Sequence, residues 1–107
     1  MNAHHYAYRV IWSSEDSEFV GLCAELPSLS WLASSQSEAL AGIVKVATDA
    51  VADMQAHGEH VPEPISERQY SGKFQVRIPP ERHRQLAIQA AEAGVSLNRL
   101  ISDRLAS

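Results

Sequence analysis

Near the end of the chain, "SGKFQVRIPPERHRQL" (residues 71–86) alternates polar and apolar side chains and then breaks at two prolines. Lys73, Gln75 and Arg77 fall on one side of a period-two pattern, and Phe74, Val76 and Ile78 on the other. Gly72–Ile78 therefore reads as a strand, and no other strand pattern follows it. Two helices come next. Pro79 and Pro80 end the strand and open the first helix, and Gly94 stops it. Leu86, Ala87, Ala90 and Ala91 share one face of that helix, with His83 at its edge. Ser96 caps the second helix, whose inward face is Leu97, Leu100, Ile101 and Leu105. One strand and two short helices hold too few apolar residues for a core of their own. Units below roughly 40 residues usually need a metal, a disulfide or a partner. Cys23 is the only cysteine, which excludes an internal disulfide and a thiolate metal cluster. The pattern predicts a second copy, with two Gly72–Ile78 strands paired antiparallel about a two-fold axis. Phe74, Val76, Ile78, Leu86, Leu97 and Ile101 then form the dimer core. Lys73, Gln75 and Arg77 of both copies face outward, on a ribbon that fits the DNA major groove.

Charge separates the two parts of the chain. The net charge of -4 combines an acidic front and a basic tail. Residues 1–71 carry three basic side chains (Arg9, Lys45, Arg68) against ten acidic ones, a balance of -7. Residues 72–107 carry six basic side chains against three acidic ones (Glu81, Glu92, Asp103), a balance of +3. A basic tail suits an anionic partner. No apolar run approaches the roughly 18 residues that span a membrane. "MNAHHYAY" also lacks the basic and apolar regions of a secretory signal, so the expectation is a cytoplasmic protein with no membrane partner.

The front reads as a three-stranded antiparallel meander followed by a helix, an α+β arrangement. Tyr6–Trp12 and Phe19–Ala24 are strands joined by the polar turn "SSEDSE", and Leu29–Ala33 is the third. Ser35 and Glu38 have capping-box spacing, and Leu40, Ile43, Val44, Ala47, Val51 and Met54 recur at helical spacing up to Gly58. The small Cys23, in an apolar strand, is expected to be a buried thiol. "EHVPEPISERQYSG" is rich in proline and polar residues. The expected organisation is a first domain over 1–64, a linker over 65–71 and a second domain over 72–107.

Two resemblances follow from these residues. "GKFQVRIPPERHRQLAIQAAEAGVSLNRLISDRL" (residues 72–105) resembles the ribbon–helix–helix DNA-binding fold of Arc-type and MetJ-type repressors. It shares their alternating strand, proline, helix, and "GVSLN" opening a second helix. The resemblance implies that Lys73, Gln75 and Arg77 read base edges, and that Ser96, Leu97 and Asn98 anchor DNA phosphates. Residues 6–64 are similar to the HicB antitoxin domain, a partial RNase H-like fold. The landmarks are "FVGLCAELPSL", "SSQSEAL" and "HGEHVPEP", in that order. Ser28 departs from the glycine common after Leu-Pro in that family, so this turn is expected to differ. Together the two imply an antitoxin of a HicAB-type pair. Its front would bind a HicA-like, mRNA-cleaving toxin, and its tail would bind operator DNA and repress the gene pair. Two alternatives stay open: an orphan regulator without a toxin, and an interaction module whose tail only dimerises. The resemblance also leaves a homodimer and a tetramer both open.

An RNase H-like front raises the question of catalysis. Metal-dependent chemistry of that kind needs carboxylates converging on metal ions. Glu15, Asp16 and Glu18 crowd one turn, which reads as a solvated loop, and Asp49 and Asp53 read as the solvent face of the helix. His57, Glu59 and His60 read as a loop after the helix, and His4 and His5 as a mobile terminus. No Ser/His/Asp or Cys/His constellation and no glycine-rich phosphate loop occurs. The expectation is a protein with no catalytic residue, no metal and no cofactor.

Overall fold

Tyr8–Ser13 (β1), Glu18–Cys23 (β2) and Ser30–Ala33 (β3) form an antiparallel sheet in the order β1–β2–β3. The computed structural model describes residues 2–107 of the chain. A four-residue turn joins β1 to β2. There the Ser13 hydroxyl donates to Asp16 (2.9 Å) and accepts from its backbone N–H, and Ser17 takes a left-handed backbone (φ 52°). The register sets Tyr8 opposite Cys23, Val10 opposite Gly21 and Trp12 opposite Phe19, so these residues share one face. Trp12 and Phe19 meet edge to face, 5.0 Å between ring centres. A single helix, Gln36–Ala56 (α1), packs on this sheet. Ser35 caps it by accepting the Glu38 N–H, as the capping spacing predicts. The Glu38 side chain instead accepts from the Ser34 hydroxyl (3.2 Å), so the reciprocal half of the capping box is not made.

The stripe that α1 buries differs from the expected one. Ile43, Ala47 and Val51 are buried, but Leu40 is 45% exposed and Ala39 takes its place inside. The cause lies across the interface at Gly21. A Cβ there would stand 2.5 Å from the Ala39 carbonyl oxygen and 2.8 Å from Ile43 Cγ2. Backbone meets backbone at this point, and only a small residue on the helix fits so close an approach.

The N-terminus is also built into the front. Ala3–His5 forms a short 3-10 turn, with Ala3 and Tyr6 buried in the core. His5 pairs with Glu67, which corrects the expectation of a mobile end. The Tyr6 hydroxyl donates to the Pro62 carbonyl (2.6 Å) and the Tyr8 hydroxyl to the Ala3 carbonyl (2.6 Å). Burial, with Cys23 and Glu25 nearby, pushes the Tyr8 phenol up to about 12, which keeps it a donor. Burial likewise pushes the Cys23 thiol up, away from the thiolate that would make it reactive.

Glu25 ties these pieces together. Its buried carboxylate accepts the Ala7 N–H (2.9 Å) and the Ile65 N–H (2.9 Å), with the Cys23 thiol 3.8 Å away. Burial alone would raise this carboxyl. The N–H donors of Ile65, Ala7 and Glu25 itself outweigh burial and hold it below its ordinary value of 4.5. Residues 65–70, expected as linker, are thereby drawn onto the front. Ile65–Glu67 forms a second 3-10 turn, Arg68 donates to the Glu63 carbonyl, and the Tyr70 hydroxyl donates to the Ile65 carbonyl. The chain divides into two compact units, Met1–Tyr70 and Ser71–Ser107.

In the second unit, Pro80–Ala93 (α2) and Leu97–Ala106 (α3) pack on each other. Pro80 occupies the first turn of α2. Gly94 ends that helix in a left-handed conformation (φ 71°), while the Val95 N–H returns to the Ala90 carbonyl. The expected strand Gly72–Ile78 is not formed. A strand requires a neighbour's N–H and C=O groups, and its own chain supplies none here. The architecture is α+β, with a three-stranded antiparallel sheet and three α-helices. Among the described residues, no helix is long and apolar enough to cross a membrane.

Glu25→Gln is expected to lower stability by about 2 kcal/mol near neutral pH, read from urea unfolding. The carboxyl is depressed in the fold, so its contribution is complete above pH 4.5 and lost as pH falls through the lower folded value. The difference between the two proteins should therefore narrow in acid. A constant difference would assign the loss to something other than the carboxylate.

Candidate functional site

Gly72 admits the chain to the second unit with a backbone only glycine takes easily (φ 83°), and the Lys73 N–H bonds back to the Ser71 hydroxyl (3.1 Å). Residues 73–78 then run exposed on both sides. Phe74 is 73% exposed and Val76 71%, values that no apolar side chain has in a finished core. Phe74–Ile78 enter no backbone–backbone hydrogen bond among the described residues.

This segment borders an open trough of about 930 Å³ whose other walls come from α2 and α3. All six residues expected to form a dimer core line it: Phe74, Val76, Ile78, Leu86, Leu97 and Ile101. Leu105, assigned to the inward face of α3, lines it too and is largely exposed. Ala90, on α2, is the one buried residue of this unit. Lys73, Gln75 and Arg77 border the same trough. The expected separation into an apolar inner and a polar outer side is thus not made in one chain. Unpaired extended backbone has nothing to pin its pleat.

The three phosphate candidates sit together at the start of α3. The Ser96 hydroxyl is occupied, accepting the Arg99 N–H (3.0 Å) as the helix cap. The Leu97 and Asn98 N–H groups take no backbone partner among the described residues and stand at the positive end of the helix dipole. The open N–H groups of this turn are therefore those of Leu97 and Asn98, and both residues also line the trough. Arg99 pairs with Asp103 (3.3 Å), and Arg104 donates to Gln89 (2.8 Å). Lys73, Arg77, Arg82 and Arg84 enter no ion pair among the described residues, which leaves the basic charge near the segment uncompensated.

Several other ionisable groups are used locally. Asp49 pairs with Lys45 (3.0 Å), and Asp53 lies 3.4 Å from His57, both exposed on α1. Asp16 bonds within its turn. Glu25, like the Glu67 that pairs with His5, is a carboxylate whose role sequence patterning missed. Nothing in an acid after a strand announces that it will hold the N–H of Ile65, 40 positions further on. Among the described residues, no group of three or more His, Cys, Asp or Glu is placed to hold a metal ion.

The model of the HicB family matches residues 57–105, from the residue after α1 through α2 and into the last turn of α3. The sheet and the whole of α1 lie outside the match. No curated protein and no solved structure matches the chain.

Ser96→Ala is expected to cost about 1 kcal/mol locally, because the cap is lost. Faster amide hydrogen exchange confined to α3 would reveal it, with the first unit unaffected.

Proposed function

We propose, from the premise that residues 57–105 make this chain a HicB family protein, that it is the antitoxin and autorepressor of a toxin–antitoxin pair. The observation that carries the reading is the open trough. Seven apolar side chains converge on it from Gly72–Ile78, α2 and α3, and one chain leaves it uncovered. A second copy supplies what is missing. Its Gly72–Ile78 segment pairs with this one as a two-stranded ribbon, so that each strand satisfies the other's backbone. Pairing also imposes the pleat. Phe74, Val76 and Ile78 then turn into the joint core, and Lys73, Gln75 and Arg77 turn out together, making a ribbon–helix–helix dimer.

That outward surface matches the major groove chemically. Lys and Arg donate to guanine O6 and N7, and Gln bonds adenine bidentately. The Leu97 and Asn98 N–H groups hold flanking phosphates. The protein works in the cytoplasm on its own operator, and no catalytic step is assigned to it. The front unit carries most of the acidic charge and has its own core, so it is the natural contact for a basic, RNA-cleaving, HicA-like toxin.

Replacing Lys73, Gln75 and Arg77 together by alanine should weaken operator binding more than about a hundredfold while the dimer mass persists. Wild-type affinity should fall steeply with added salt. Gel shifts of the operator that survive the triple substitution would remove these residues from the reading.

The toxin arm is tested separately. The product of an adjacent toxin-like reading frame, co-expressed with the chain, should co-purify with the wild type and equally with the triple variant. Loss of the toxin from the triple variant alone would place its contact on the tail instead.

A further inference from the structure

We infer that the sheet face turned away from α1 is where a basic protein docks, with its apolar side chains on Ile11, Val20 and Leu32 and its cations at the acidic turn beside them. This inference rests on the proposed toxin partner and gives that partner a place on the front.

The strand register defines the face. Gly21 meets Ala39 and Ile43, and Trp31 lies against Gly42, so the row Val10–Gly21–Trp31 looks toward α1. Side chains alternate along a strand, so the neighbouring rows look the other way. Ile11, Val20 and Leu32 stand side by side across all three strands, and Leu22 follows in the next row, between Arg9 and Ser30. Ile11 is 44% exposed and Leu32 46%. Among the described residues α1 is the only α-helix of this unit, and it is spent on the opposite face. An antiparallel sheet with one face in water ordinarily carries polar side chains there. Four apolar side chains gathered in the middle of such a face have the composition of a contact surface.

Charge selects the occupant. Glu18 stands in the row beyond Ile11 and Val20, opposite Ser13. Glu15 and Asp16 lie in the turn next to it, both exposed. Glu15, Asp16 and Glu18 enter no ion pair among the described residues. Arg9, at the opposite end, is the one base in these rows. Three acids against one base repel nucleic acid and anionic lipid surfaces. The front as a whole, with its balance of -7, also repels a second copy of itself. A basic protein gains on both counts. Its apolar side chains leave water over the Ile11–Val20–Leu32 row, and its Lys or Arg side chains approach the turn.

Titration of the full chain with the purified product of the adjacent toxin-like reading frame tests this. Ile11→Lys and Leu32→Lys should each weaken binding more than about tenfold, because each sets an unpaired cation against a basic partner in the middle of the contact. Either variant suffices if the other loses its fold by circular dichroism. Leu40→Lys makes the same change on α1, at a position 45% exposed, and should bind as the wild type does. Glu15→Lys combined with Glu18→Lys should slow association and flatten its dependence on salt. Undiminished binding by the folded face variants, or an equal loss in Leu40→Lys, overturns the assignment to this face and leaves the toxin reading standing. A wild type that binds no toxin overturns that reading, and the docking face with it. Sedimentation of the chain without toxin should give the same mass for the wild type and both face variants. A mass that falls on substitution would give the face to a second copy and overturn the inference.

Discussion

A backbone N–H or C=O group taken out of water must find a partner, and this requirement organises both halves of the molecule. In the front it is met by a side chain. Glu25 gathers the N–H groups of Ala7, just before β1, and Ile65, well after α1, onto one buried carboxylate. No cation is needed, because the charge is held by oriented N–H dipoles. In the tail the requirement is left open. Phe74–Ile78 has alternating side chains suited to a sheet and no ladder within its own chain. The first unit is thus closed by its own residues, and the second is completed by another molecule in the proposed reading.

This difference separates two kinds of chemistry. The front buries Ile43 and Pro64 fully and encloses its polar groups; among the described residues no buried side-chain nitrogen or oxygen is left unpaired. The tail has one buried residue, Ala90, and an apolar trough open to water. Exposed apolar surface of that extent is a cost to an isolated chain and a driving force for association. In the proposed dimer, the basic side chains at the rim of that surface would gain their geometry from the association. One event would then create both the fold of the tail and its DNA-reading face, and whatever weakens the joint would also weaken DNA binding.

Much of the architecture was legible because it depends on local chemistry. The meander follows from short polar connections between β-branched and aromatic runs. The limits of the helices follow from Ser35, Pro80, Gly94 and Ser96, each of which acts within a few residues of itself. The misses have a common cause. Leu40 rather than Ala39 looks inward on a helical wheel, yet Gly21 on the opposite strand brings the backbones too close for leucine. Residues 65–70 look like a linker, yet a carboxylate 40 positions earlier holds Ile65 in place. In the site, the six apolar residues were legible as a set and do line one surface. The opposite facing of Lys73, Gln75 and Arg77 did not emerge in one chain, because pleating is a property of paired strands.

By itself, then, the sequence determined the strands and helix of the front, the two helices of the tail, the caps that bound them, the charge division and the apolar set of the tail. These rest on side-chain chemistry and periodicity, which act over a few residues. Only the tertiary structure decided that the N-terminus and residues 65–70 belong to the front, that Ala39 is the contact with the sheet, and that the tail's apolar set surrounds an uncovered trough. These depend on contacts between residues far apart in the chain, where the sizes of Gly21 and Ala39 and the reach of one buried carboxylate select a single arrangement.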